Sequence, residues 1–464
     1  MILIVCLVVF SLLQVAFARR DHTHGVLTTD GDEVQYLVST ETLIRDHSLS
    51  PLKNYIQNVY KRENYYQQEI PYPMLVPGTN GREVSSHLPL LPVLIVPGFW
   101  LFGYNGAAGT MILLFSLAAM LTFLSMRKFL PELTSAAVTL VFFLTYPAVT
   151  YSRLIYPETA AVFFLSLSVW ASLRLKETGA AGYAMLSGVC AALLFQLHDK
   201  FIFMTVALGF LAWCCAKNRM RDFTAWLVPV VASLAVLLFL TRYLYGPNII
   251  HGLSVAAGPG DITGGQPVWG IFGLYLDRAW GLFIFAPLYF AFLPGIPLAR
   301  GGRDLSRWWL FLPIIIVLHT AVSGLFGQWF GGTAPVPRYL VPLIPIFIIC
   351  AGIFYAKCRS VAVKVVLGVL FAFQLVLTVF ALINPLDAFA IHGTGNALIQ
   401  RILGPTLARW VTRIFPLFHP VTLKGCIIPL VLWVALLLGL SIYLRKRKMD
   451  SVYIGLGLEA GGRA

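Results

Sequence analysis

Residues 362–383 read AVKVVLGVLFAFQLVLTVFALI, an unbroken apolar run whose one charge is Lys364 near its start. A membrane-spanning helix needs roughly 20 such residues, because the hydrocarbon core is about 30 Å thick and each residue rises about 1.5 Å. Counting this run, the chain has about twelve stretches of the same kind. They lie near 2–18, 105–126, 133–152, 157–173, 180–197, 201–216, 223–243, 281–299, 308–326, 338–356, 362–383 and 426–444. The stretch 88–102 is also apolar, but Pro89, Pro92 and Pro97 break it, which suits a re-entrant or interfacial segment better than a full span.

Composition agrees. Of the 464 residues 58% are hydrophobic and 12% charged, and the mean hydropathy is +0.79. An ordinary soluble domain carries about twice that charge fraction, and a disordered chain lacks the hydrophobicity. The expected fold is therefore an all-α integral membrane protein with about 12 transmembrane helices (11–13). It is read as a first helix or signal-like segment, 1–18, an extracytoplasmic loop, 19–104, and a transmembrane core, 105–383. A further extracytoplasmic amphipathic segment, 384–425, precedes a last helix with a basic tail, 426–464.

The formal net charge of +14 would suggest a nucleic-acid partner in a soluble protein. Here it is an orientation signal. Loops at 127–132, 174–179, 217–222, 300–307 and 357–364, with the tail after Leu444, carry eighteen Lys/Arg against six Asp/Glu. The positive-inside rule makes that side cytoplasmic. The other side is nearly neutral, with sixteen basic residues against fourteen acidic, so no nucleic acid is expected. Ala16-Phe17-Ala18 resembles a signal-peptidase site, but no basic region precedes the apolar run; an uncleaved helix is the expectation.

The seven cysteines show neither CxxC nor Cys/His metal spacing, and no Walker loop, HExxH motif or Asn-x-Ser/Thr sequon is present. The outer face holds the candidate chemistry. Asp30-Gly31-Asp32-Glu33 places three acids together, which calls for a cationic partner or a raised pKa. A carboxylate just above the bilayer suits a general base, although acids also favour a helix's first turn for structural reasons. Residues 33–47 follow as an amphipathic helix, 54–68 carries Tyr55, Tyr60, Tyr65 and Tyr66 in an interfacial composition, and 397–415 is amphipathic with Arg401, Arg409 and Arg413. Arg153, Lys200, Arg242, Arg278 and Arg338 sit where apolar helices meet the outer face; Arg there suits a lipid phosphate, or simply ordinary headgroups. The glycine-rich loop 258–265 reads as a lid or as slack. His319, mid-span, reads as an interhelical hydrogen-bonder.

These residues together resemble the GT-C superfamily of polytopic glycosyltransferases, which use polyprenyl-phosphate-linked sugars. The aminoarabinose and protein O-mannosyl transferases and the bacterial enzymes around them are the similar groups. The matching motifs are Gly31-Asp32-Glu33-Val34-Gln35-Tyr36, His87-Leu88-Pro89-Leu90, Tyr156-Pro157-Glu158 and Leu197-His198-Asp199-Lys200-Phe201. They continue with Asp277-Arg278-Ala279-Trp280-Gly281-Leu282-Phe283, Gln328-Trp329-Phe330-Gly331-Gly332 and Pro337-Arg338-Tyr339-Leu340. Each is short; their order on one face carries the resemblance. Two departures stand out: Ser85-Ser86 replaces an acid before His87, leaving Glu83 the nearest carboxylate, and Lys200 replaces an arginine.

The resemblance implies inverting sugar transfer from a polyprenyl-phosphate carrier to a hydroxyl of a glycan, lipid or protein. Asp32 and Glu33 would be catalytic, and Asp30, Tyr36, Glu158 and His198 would bind acceptor or sugar. His87, Lys200, Arg278, Arg338 and Tyr339 would bind the donor phosphate. No cofactor is certain, though a divalent cation, Mg or Mn, would find acids to share. Membrane lipids are the surrounding partners, and a bacterial inner membrane is the expected location. The alternative is a transporter or flippase of a polyprenyl-linked or anionic lipid, which should show midplane charges and repeated halves. A relative that binds the carrier without catalysis is the third reading.

Overall fold

The computed structural model describes residues 2–23, 32–59, 74–246, 267–299, 308–325, 329–332, 334–388, 397–418, 423–435 and 439. Asp30, Tyr60, Tyr65, Tyr66, the 258–265 loop, Gln328 and the basic tail lie outside the described residues, as does much of the last expected span.

The described chain is helical apart from one two-stranded antiparallel hairpin, β1 (Leu75–Pro77) with β2 (Glu83–Ser85). Its principal helices are α1 (Ile2–Thr23), α2 (Asp32–Arg45), α3 (Leu90–Met126), α4 (Glu132–Phe143), α5 (Pro157–Thr178), α6 (Ala181–Leu197) and α7 (Ile202–Cys215). After these come α8 (Arg219–Tyr245), α9 (Pro267–Leu276), α10 (Phe311–Leu325), α11 (Ile344–Lys357), α12 (Val361–Ile383) and α13 (Ala397–Arg413). Seven helices among the described residues are long and apolar enough to cross a membrane. The stretch expected to span at 281–299 is divided at Ala286–Pro287 into the turn Leu282–Phe285 and a short helix over Pro287–Leu298, and that at 133–152 stops at Phe143, four residues before Pro147. Proline lacks the N–H that continues a helix, so a hydropathy window overcounts continuous spans here.

Burial sorts the spans. The most apolar windows of Pro157–Thr178 and Arg338–Lys357 are 78% and 83% buried, whereas those of Arg219–Tyr245 and Val361–Ile383 are 11% and 22% buried. The first pair forms the bundle's centre. The second pair turns side chains such as Phe239 and Val369 outward, as a lipid-facing surface requires when no water is present to penalise it.

Within α3 the chain reverses at Phe102–Gly103, where Gly103 takes φ 57°. The arm before the reversal folds back on the helix after it. A Cβ added at Gly98 would stand 2.3 Å from the carbonyl oxygen of Gly106, so two backbones touch there and only glycine fits.

The basic loops converge on one end of the bundle. Lys128 and Arg174 both pair with Glu177 at 2.6 Å, Lys217 Nζ donates to the Glu177 carbonyl at 2.7 Å, and Arg221 donates to the Gly179 carbonyl. Phe129 stacks on Trp308, and Lys357 reaches the Leu298 carbonyl at 2.6 Å. The outer motifs gather elsewhere, at the opposite ends of these helices.

Candidate active site

Helix α2 opens with Asp32 and Glu33, acids that complement the positive end of a helix dipole. It is less a surface helix than the sequence pattern suggests: Glu33–Val38 and Thr40–Thr42 are all buried, packed against α3. Asp32 and Tyr36, four residues apart, share a face. That face meets His87, whose ring lies edge-on to Tyr36 at 4.8 Å and whose Nε2 lies 3.8 Å from Asp32 Oδ2.

Helix α5 begins with Tyr156 as an extended N-cap and Pro157 at its first position, an arrangement in which the missing proline N–H costs nothing. Glu158 follows, fully buried. The segment carrying Arg338 is held from below: Tyr151 and Tyr146 donate their hydroxyls to the carbonyls of Pro335 and Val336. Gly331, at φ 89°, lets the backbone pass close to Arg338, where a Cβ would stand 3.0 Å from that of the arginine. His319 Nε2, 2.7 Å from the Tyr339 carbonyl, pins the next residue.

The four elements meet at Arg338. Its Nε donates to Glu158 Oε1 at 2.9 Å and its Nη2 to Asp32 Oδ2. Lys200 Nζ shares the same Glu158 oxygen at 2.5 Å. Aromatic rings complete the cage: Arg338 lies over Tyr156 at 4.5 Å and Lys200 over Tyr339 at 4.3 Å. Two cations and two carboxylates thus cancel in a largely dry pocket. Burial raises the Asp32 carboxyl, but Arg338 and then His87 outweigh it and hold Asp32 well below the usual carboxylate range. Burial also pulls the Lys200 ammonium below its ordinary value, against the attraction of Glu158.

Access separates these groups. The side chains of Asp32 and His87 are 14% and 13% exposed, against 0% for Glu158. Beside them a small hollow is lined by Tyr36, Ser86, His87, Leu88, His198 and Asp199. His198 pairs with Asp199, which also accepts the Lys200 N–H at 2.8 Å.

Among the sequence-selected residues, Asp32, Tyr36, His87, Glu158, Lys200, Arg338 and Tyr339 therefore come together, with His198 at their edge. Glu33 is buried behind them, its Oε1 accepting the Ile155 N–H at 2.6 Å. Arg278 is not part of the cluster: its backbone and guanidinium bond the carbonyls of Pro416 and Phe415, while Asp277 accepts the N–H groups of Ala279, Trp280 and Phe418. This clasp holds the 415–418 segment. Of the other outer cations, Arg153 is buried on Gln14 and Asp21 at 3.1 and 3.2 Å, and Arg242 is exposed on α8. Glu83 is exposed on β2, outside the cluster. Tyr156 stands in the Tyr156-Pro157-Glu158 motif but received no role from the sequence; its place directly ahead of Pro157-Glu158 is the signal that marks it.

Among the described residues no group of three or more His, Cys, Asp or Glu is placed to ligate a metal. The two carboxylates that a divalent ion would share already take a guanidinium and an ammonium. The described residues do not fit a resident ion in this arrangement.

No family model matches the chain, and no curated protein matches it. Similar solved structures include ArnT from Cupriavidus metallidurans bound to undecaprenyl phosphate, at 15% identity and TM-score 0.46, covering 96% of this chain and 74% of that one. The same protein in the apo state gives 16% identity and TM-score 0.45, covering 95% and 74%. The apo Archaeoglobus fulgidus oligosaccharyltransferase gives 13% and 0.47, covering 89% of this chain and 60% of that one. Identities and TM-scores this low lend no weight to site chemistry, which stands on this chain's own residues.

Proposed function

We propose that the chain is a GT-C-type membrane glycosyltransferase that moves a sugar from a polyprenyl-phosphate carrier to an acceptor hydroxyl on the extracytoplasmic face. The observation that carries this reading is the bridging of Asp32 and Glu158 by Arg338, beside Lys200, at the bundle end away from the basic loops. A lipid phosphate at headgroup depth is a natural ligand for such a pair of cations. In the resting cluster both cations are neutralised internally. An arriving phosphate would take over part of Arg338 and Lys200, releasing Asp32 from its ion pair and restoring its basicity.

Asp32 accepts the proton of the acceptor hydroxyl, and that oxygen attacks the anomeric carbon from the face opposite the phosphate. The anomeric C–O bond to phosphate breaks, its electron pair leaves with the phosphate oxygen, and Arg338 and Lys200 stabilise the added charge. One displacement inverts the configuration. Asp32 returns its proton to water. Tyr36, His87 and His198 line the hollow where sugar hydroxyls would bind.

An apolar cleft of about 460 Å³ between α6, α7 and α8 supports a prenyl-chain donor. It is lined by residues including Phe195, Ile202, Val206, Trp213 and Leu234, and its Ile202 end follows directly on the Asp199–Phe201 turn that carries Lys200. The positive-inside rule would put this end of the bundle outside the cytoplasm, and a bacterial inner membrane is the proposed setting.

The test uses membranes containing the protein, a panel of radiolabelled polyprenyl-phosphate sugars and the Asp32→Asn variant. Transfer by the wild type and its loss in the variant are expected. Lipid translocation without transfer would favour the flippase reading.

A further inference from the structure

Glu33 adjoins Asp32 in the chain but faces elsewhere, since neighbours on an α-helix point about 100° apart. Its side chain is fully buried, and it does not line the hollow formed by Tyr36, His87 and His198. Oε1 accepts the Ile155 N–H at 2.6 Å; Oε2 has no partner among the described residues. Ile155 immediately precedes Tyr156, the N-cap of α5, and Glu158 follows in the first turn. One carboxyl on α2 thus grips the backbone that delivers both the ring beneath Arg338 and the acid bonded to it.

The charged groups facing this carboxyl are Arg153, Asp32 and Arg338. Burial outweighs the hydrogen bond from Ile155 and the pull of Arg153, and pushes the group up to about 8. Near neutral pH Glu33 is therefore mostly the uncharged acid, a poor ligand for a cation and a poor base.

We propose that Glu33 is a positioning residue: its carboxyl latches the 153–156 turn to α2, and so sets Asp32, Tyr156 and Glu158 around Arg338. This rests on the reading of that cluster as the reacting site. The test compares Glu33→Gln with Glu33→Ala in lipid nanodiscs, by backbone amide exchange across 153–158 and by transfer kinetics. Gln keeps an oxygen that accepts the Ile155 N–H, so wild-type protection and a kcat within about threefold of wild type are expected, because the bond donor is unchanged. Ala removes the acceptor, so exchange at 153–158 should rise while the spans stay protected. The kcat should fall about 100-fold, the scale of a 1 Å misplacement, with donor KM little changed. Should the Ala variant fail to fold, Glu33→Leu fills the space without an acceptor and takes its place. Wild-type protection at 153–158 without the acceptor would remove the latch. A Gln variant that keeps protection yet loses transfer as Ala does would place Glu33 on the substrate instead. If the wild type transfers no sugar, the glycosyltransferase reading falls, and amide exchange still decides the latch.

Discussion

The Nε of Arg338 lies 2.9 Å from Oε1 of Glu158, buried at the outer end of the central helices, and the same guanidinium reaches Asp32 with its other arm. A planar fork can serve two carboxylates at once, which a lysine ammonium cannot do with the same geometry. Arg338→Lys should therefore behave as a loss. The substitution leaves the part-exposed Asp32 with His87 beside it while Glu158 keeps Lys200, so the cost should stay below that of breaking a fully buried pair, about 3–5 kcal/mol. The expected outcome is a lowered unfolding midpoint in detergent together with loss of transfer. Lys200→Arg, by contrast, keeps a charge on Glu158 and should retain most activity. If Arg338→Lys unfolds and transfers like wild type, the two-armed bridge has no role.

Asp32→Asn tests the base. The amide still fits beside Arg338 but cannot take a proton. A fall of about 100- to 10,000-fold in kcat is expected, the usual worth of a positioned general base, while binding of the polyprenyl phosphate should stay equal or tighten. The measurement is single-turnover transfer beside equilibrium binding of the unlabelled carrier.

The carboxyl of Glu33 makes stability depend on pH with a defined sign. Its folded value of about 8 lies above the ordinary 4.5, so the folded state holds a proton that the unfolded state has released. Its contribution is full below about pH 4.5, declines as pH rises, and is lost through about pH 8. The melting midpoint of the wild type should fall across this window, by an amount on the order of a few kcal/mol in free energy. Glu33→Gln should flatten the same curve. A parallel decline in both proteins would place the proton elsewhere.

The cleft between α6, α7 and α8 predicts a dependence on the length of the carrier. Val206, 59% exposed on its wall, can be replaced by Trp without entering the core. Val206→Trp should raise the KM for long-chain donors about tenfold, a loss of roughly 1.4 kcal/mol, and leave short-chain donors nearly unaffected. Equal effects on both lengths would remove the cleft from donor binding.

Much of this architecture was legible in the sequence because bilayer thickness imposes a length on every span. The acid cluster was legible too: crowded carboxylates require a cation or a proton, and Asp32 has the first while Glu33 has the second. What hydropathy could not supply was direction. Arg278 and Arg338 look alike in sequence, each at a helix end with an aromatic within two residues, yet Arg278 clasps the carbonyls of a distant segment. Nor could it count continuous spans where a proline divides an apolar run, as at Pro287. Those outcomes depend on which partners the bundle brings near, and pattern along one chain does not encode them.

The backbone contact between Gly98 and Gly106 has a mechanical consequence. His87 stands three residues ahead of the arm that this contact fastens, so the arm's depth fixes how far the imidazole is lowered toward the bilayer. Lipid tails vary in length from membrane to membrane, but two touching peptide units do not. The chain carries its own ruler, and the height at which a phosphate would meet His87 is measured from protein rather than from lipid.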